Sequence, residues 1–211
     1  MGAMAGSPWT AASLAGTMAM WTVMMAAMMV PASLPVMRIV LHGSRAATSR
    51  GEPSTPVAAF TVGYLLVWAA FSAFATLLQA WLGSAMALSG DMALTGARAR
   101  GAVLLLAGVW QLTPWKHACL SHCRVPLSFA LHRWRSGLAG ALRMGADHGL
   151  SCVGCCWALM LVLFATGVMN LYAVVALTVL VIAERTFASG RAIGFVTGLA
   201  LVAWGLVTLF T

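Results

Sequence analysis

The chain has 211 residues, 62% of them hydrophobic and only 8% charged, against roughly a quarter charged in an ordinary soluble domain. That composition excludes a conventional water-soluble domain and points to an all-α, polytopic membrane helix bundle. The formal net charge of +8 would fit nucleic acid in a soluble chain, but the basic residues sit in short segments between apolar runs. There they read as determinants of orientation and of contact with anionic lipid headgroups, so the lipid bilayer is an expected partner and nucleic acid is not.

A helix crossing a hydrocarbon core needs about 20 apolar residues. On that criterion residues 1–211 form a single integral membrane domain with about six spans, at about 14–37, 57–82, 99–115, 149–168, 171–184 and 191–210. Unpaired backbone groups are costly in lipid, so each span is expected to be helical. The first span carries "MAMWTVMMAAMM", which places Met20, Met24 and Met28 in one helical row and Met18, Met25 and Met29 in another. Thioethers are soft ligands, and Met is also an adaptable filler of helix interfaces; the packing reading is preferred. Pro31 and Pro35 are expected to kink or end this helix. The first basic residue, Arg38, lies beyond the run, so the run is read as a retained helix.

Residues 38–56 contain "HGSRAATSRGEPSTP", read as a polar loop with His42 in solvent. Gln79 and Gln111 are expected to bridge helices within the second and third spans. Residues 116–148 form a cytoplasmic Cys/His loop region. Within it Leu127, Ala130, Leu131, Trp134, Leu138 and Leu142, interleaved with Arg133, Arg135 and Arg143, predict one interfacial amphipathic helix over 126–144. The fourth and fifth spans are joined by "GVMN", with Asn170 as a helix terminator. Glu184 beside Arg185 is read as an interfacial ion pair.

The segments after spans one, three and five hold Arg38, Arg45, Arg50, Lys116, Arg124, Arg133, Arg135, Arg143, Arg185 and Arg191, ten of the twelve basic residues. Only Arg98 and Arg100 fall on the other side. The positive-inside rule therefore places those three segments in the cytoplasm and both termini outside it.

All five cysteines flank the long loop: Cys119 and Cys123 follow the third span, and Cys152, Cys155 and Cys156 open the fourth. Disulfides rarely persist in a reducing cytoplasm, which leaves metal binding or redox chemistry. Residues three and four apart share a helix face, so His148, Cys152, Cys155 or Cys156, and Met160 line one stripe, while Cys119 and Cys123 line another near His117 and His122. Thiolate and thioether suit Cu(I); thiolate with imidazole also suits zinc. A "CVGC" pair at a helix start also resembles a redox dithiol, and a free cysteine is by itself often a small buried hydrophobe. No P-loop, nucleophile elbow or zinc-protease motif is present, so no catalytic residue is assigned.

The Met-rich run ending in "AMMVPASLP", the segment "TPWKHACLSHCRVP", and "MGADHGLSCVGCCWALMLVLFATGVMNL" followed by "VLVIAERTF" resemble the bacterial predicted metal-binding integral membrane protein family, a domain of unknown function. The similarity runs from about Met18 to Glu184. It implies a multi-pass protein of the bacterial cytoplasmic (inner) membrane and carries a metal-binding role onto Cys119, Cys123, His148, Cys152, Cys155 and Cys156.

The expectation is a membrane protein binding a soft transition metal, Cu(I) favoured over zinc, at a cytoplasmic-face site for transport or delivery. Cys119, Cys123, Cys152 and Cys156 would ligate, with Cys155 and His148 as alternates and Met160 beneath. A metal chaperone or partner membrane protein would exchange the ion. The alternatives are a membrane dithiol oxidoreductase using Cys152 and Cys155, and an assembly subunit with structural zinc.

Overall fold

The computed structural model describes residues 9–51, 54–85, 87–90, 92–124 and 134–211. Among the described residues seven helices follow in chain order: α1 (Ala11–Ser49), α2 (Val57–Ser84), α3 (Ala97–Leu112), α4 (Pro114–Arg124), α5 (Gly137–Thr166), α6 (Leu171–Thr186) and α7 (Gly190–Phe210). Among the described residues there is no strand beyond one isolated bridge between Leu88 and Leu94. Four of these described helices, α1, α2, α5 and α7, are long and apolar enough to cross a membrane. Helices α3 and α6 have 16 residues each. At 1.5 Å per residue they are about 24 Å long, short of a hydrocarbon core of about 30 Å. Of the six expected spans, four coincide with the long helices, and the third and fifth coincide with these two shorter ones.

Helix α1 opens with a reciprocal cap: Thr10 Oγ1 accepts from the Ser13 amide at 3.2 Å, and Ser13 Oγ accepts from the Thr10 amide at 2.9 Å. It does not end at Pro31 or Pro35 but continues to Ser49, so most of the segment expected as a loop from 38 is helical. Side-chain hydroxyls serve the carbonyls around the prolines: Tyr64 donates to Met29 O at 3.0 Å and Ser33 to Val30 O at 2.9 Å. Gly43, which looked like a loop residue, is where the Trp134 ring lies against the helix; a Cβ there would collide with the indole.

Helix α5 also begins earlier than the sequence predicted, at Gly137 rather than 149. Leu138 and Leu142, assigned to a separate interfacial helix, form its first turns; residues 126–133 of that predicted helix lie outside the described residues. The glycines here bring backbones together rather than breaking the helix. A Cβ on Gly145 would sit in the Phe60 carbonyl, and one on Gly63 in the Leu142 carbonyl, so α2 and α5 touch main chain to main chain, as small residues allow at membrane-helix interfaces. Gly101 and Gly205 do the same for α3 and α7.

Gly167, at φ +99°, ends α5, a conformation glycine adopts without steric penalty. Asn170, expected to terminate the fourth span, serves both helix ends: its side-chain amide donates to Thr166 O, the last residue of α5, at 3.4 Å, and its oxygen caps α6 by accepting from the Ala173 amide at 3.3 Å. The core gathers Trp21, Met25, Met28 and Met29 of α1, Phe60, Tyr64 and Trp68 of α2, and the apolar face of α5. Trp21 stacks on Phe164 at 5.4 Å and donates to Gln79 Oε1 at 2.7 Å, so Gln79 bridges α1 and α2 as expected.

The segments that follow α1, α4 and α6 meet at one end. Arg124 donates to Phe187 O at 2.8 Å and to Ala188 O at 2.9 Å, and the Gly137 amide donates to Ser54 O at 3.0 Å. The segment between α2 and α3 lies at the opposite end of α5, where the Leu94 amide donates to Phe164 O at 2.8 Å.

Candidate metal centre

Helix α5 presents His148, Cys152, Cys155, Cys156 and Met160 toward the interior, all buried. Short helix α4 lies across it and supplies Cys119 and Cys123. All five cysteines are free thiols; Cys119 is partly exposed and the other four are buried. The two groups of thiols, 29 residues apart between Cys123 and Cys152 in sequence, meet where Cys123 lies against Cys155. Cys119 reaches the same helix beside Gly154, where a Cβ would lie 2.9 Å from its sulfur. The Gly154 carbonyl accepts from the Trp110 indole at 3.2 Å, which ties α3 to this point.

Inside the nest the thiols of Cys155 and Cys156 donate back to the Cys152 carbonyl at 3.1 and 2.8 Å. Tyr64 Oη lies 3.1 Å from Cys152 Sγ, and the Tyr64 ring stacks on His148 at 5.6 Å. On α4, the neighbouring Cys155 sulfur and burial push the Cys123 thiol well up, and burial pushes up the Cys119 thiol. His122 is exposed, its Nδ1 at the Ala118 carbonyl. His117 lines a surface cleft with Leu120, Ser121, Arg124 and Arg191. Neither imidazole joins the thiols in this arrangement.

Two residues absent from the sequence-based site sit at its centre. One is Tyr64. The other is Arg185, whose Nη2 donates toward Cys152 Sγ at 2.9 Å, Cys155 Sγ at 3.2 Å and Cys156 Sγ at 3.8 Å. The expected Glu184–Arg185 pair does not form. Consecutive helix residues point in different directions, and Glu184 turns instead to Lys116 Nζ at 2.6 Å and Gln111 Nε2 at 2.6 Å. Lys116, which had been counted among exposed loop cations, is fully buried and also donates to Gln111 Oε1. Gln111 thus bridges helices as expected. Among the described residues no three His, Cys, Asp or Glu side chains surround a common point as metal ligands; the sulfurs are disposed around the guanidinium.

The fold is thus an all-helical bundle with soft donor atoms gathered at one helix junction. The chain belongs to the PpoB2 family, described as copper chaperones, which it matches over residues 18–208. No curated protein and no solved structure matches it.

Proposed function

We propose that the chain is an integral membrane copper carrier that takes Cu(I) as cargo on the thiols of α4 and α5 and hands it to a partner protein. The observation that carries this reading is the convergence of Cys123 on Cys155, beside Cys152 and Cys156, as free and buried thiols. Soft sulfur donors in a dry site select Cu(I) over harder ions, and membership of a copper chaperone family points the same way. The thiols lose their protons as the ion enters. A two-coordinate ion needs fewer sulfurs than the five present, so the surplus offers stepwise exchange. Cys119, the partly exposed thiol, suits the entry or exit position. His148 and Met160 extend the donor stripe along α5 on either side of the three cysteines.

In this reading α1, α2, α5 and α7 cross the bilayer fully, and the shorter α3 and α6 complete six spans with local thinning of the lipid. The end that carries Arg45, Arg124, Arg135 and Arg191 faces the bacterial cytoplasm, where thiols stay reduced.

The test is metal content by mass spectrometry on reduced, detergent-purified full chain, alongside a variant with Cys152→Ser, Cys155→Ser and Cys156→Ser. About one or more copper ions per chain, lost in the variant, is the expected result for a site of this donor set. Zinc in place of copper would make the site structural. No metal after loading, with reversible oxidation at Cys152 and Cys155, would replace the carrier by a dithiol oxidoreductase.

A further inference from the structure

Arg185 is a buried cation with no buried anion assigned to it. Its side chain is 7% exposed, and Nε and Nη1 have no hydrogen-bond partner among the described residues. The neighbouring acid, Glu184, is committed to Lys116 and Gln111, and no described carboxylate pairs with the guanidinium. What faces it is sulfur: Cys152 and Cys155 at hydrogen-bonding distance, and Cys156 farther off. A guanidinium does not shed its proton in a protein, and an uncompensated charge in a low-dielectric interior is costly. The site is therefore built to receive net negative charge.

We infer that Arg185 is the counter-cation of an anionic metal–thiolate complex, and that it makes the site selective for monovalent soft ions bound by two thiolates. The charges decide this. Two thiolates with a monovalent ion carry one net negative charge, which the guanidinium cancels. The same thiolates with a divalent ion are already neutral, so the guanidinium becomes an unpaired buried charge. A divalent ion regains neutrality only by recruiting a third thiolate. As each ion enters, the protons of the ligating thiols leave to solvent, and no oxidation or reduction takes place.

This inference rests on the copper-carrier reading and is tested separately from it. Reduced, detergent-solubilised full chain is titrated with silver(I), a redox-inert monovalent probe, and with cadmium(II), a soft divalent one, in competition with chromophoric chelators. The parent, Arg185→Gln and Arg185→Lys are compared, with helix content measured by circular dichroism. Arg185→Gln is expected to weaken silver(I) binding by at least about tenfold, since truncating one partner of a buried charge pair strands the other. Cadmium(II) binding by the same variant should be unchanged or tighter, and Arg185→Lys, which keeps the charge, should stay near the parent for silver(I). Equal weakening of both ions in Arg185→Gln, or an Arg185→Lys variant as weak as Arg185→Gln, would overturn the counter-cation role. So would unaltered silver(I) affinity in Arg185→Gln. A parent that binds neither copper nor silver would overturn the carrier reading itself.

Discussion

Lys116 and Arg185 are both buried cations at the same end of the bundle, yet their surroundings are opposite. Lys116 has a carboxylate at 2.6 Å and the amide oxygen of Gln111 beside it, so its charge is answered within the fold. Arg185 has three sulfurs and no described carboxylate. Burying a charge is tolerable when a partner and hydrogen bonds replace water. The first arrangement meets that condition with the protein's own groups. The second would meet it with the sulfurs anionic, as metal binding would make them. On the proposed reading, the difference separates a structural ion pair from a functional one.

The largest effect is expected from breaking the answered pair. Glu184→Gln strands Lys116 in the interior and should lower stability by about 3–5 kcal/mol, as removing one member of a buried pair does. Denaturant unfolding in detergent, followed by helix content, would measure it. Replacing both partners, Lys116→Met with Glu184→Leu, should recover most of that loss, because two apolar groups carry no desolvation penalty.

Arg185→Met sharpens the contrast through its sign. In metal-stripped, reduced protein the variant should stay within about 1 kcal/mol of the parent or exceed it, because the guanidinium has no buried carboxylate to abandon. The same unfolding measurement checks it. A loss as large as that of Glu184→Gln would mean that a thiolate already pairs with Arg185 before any metal arrives.

The reach of sequence reasoning follows the same division. Spacings within one helix were legible: Cys152, Cys155 and Cys156 share the interior face of α5, and Cys119 and Cys123 both turn toward it from α4, because the helix period fixes such placement. Gln79 and Gln111 were legible as bridges, since polar side chains in apolar helices need partners. Placement that depends on a second helix was not. Neighbouring in sequence made Glu184 and Arg185 look like a pair, although the rotation between consecutive residues sends one to Lys116 and the other to the thiols. Lys116 read as a loop cation because nothing in its own segment reveals that α3 and α6 supply Gln111 and Glu184 around it. The early turns of α5, from Gly137, were missed because the role of Gly145, contact with the α2 backbone, depends on the partner helix.

A smaller effect is expected at the neutral side of the thiol nest. Tyr64→Phe removes the hydroxyl that lies 3.1 Å from Cys152 Sγ and donates to Met29 O at 3.0 Å. It should cost about 1 kcal/mol, the usual net value of a hydrogen bond. Because the hydroxyl is uncharged, silver(I) and cadmium(II) affinities should shift together, unlike the divergence expected for Arg185→Gln. A divergence of the same kind at Tyr64 would assign part of the ion selectivity to the phenol.

The smallest effect concerns the outer face of α4. Burial, Arg191 and Lys116 hold the His117 imidazole below its ordinary value of 6.5. The unfolded chain therefore takes up this proton first as pH falls. The stability that neutral His117 contributes is complete above about 6.5 and is lost progressively below it, down through the lower folded value. His117→Asn should flatten this part of the stability profile between pH 7 and pH 5, read by thermal unfolding across that range. Since His117 is partly exposed, solvent screens the cations beside it and the slope is shallow. The buried Lys116–Glu184 pair is far less screened, so added salt should diminish the His117 slope well before it alters the penalty of Glu184→Gln. A salt-insensitive slope would place the titrating group in the interior rather than on this face.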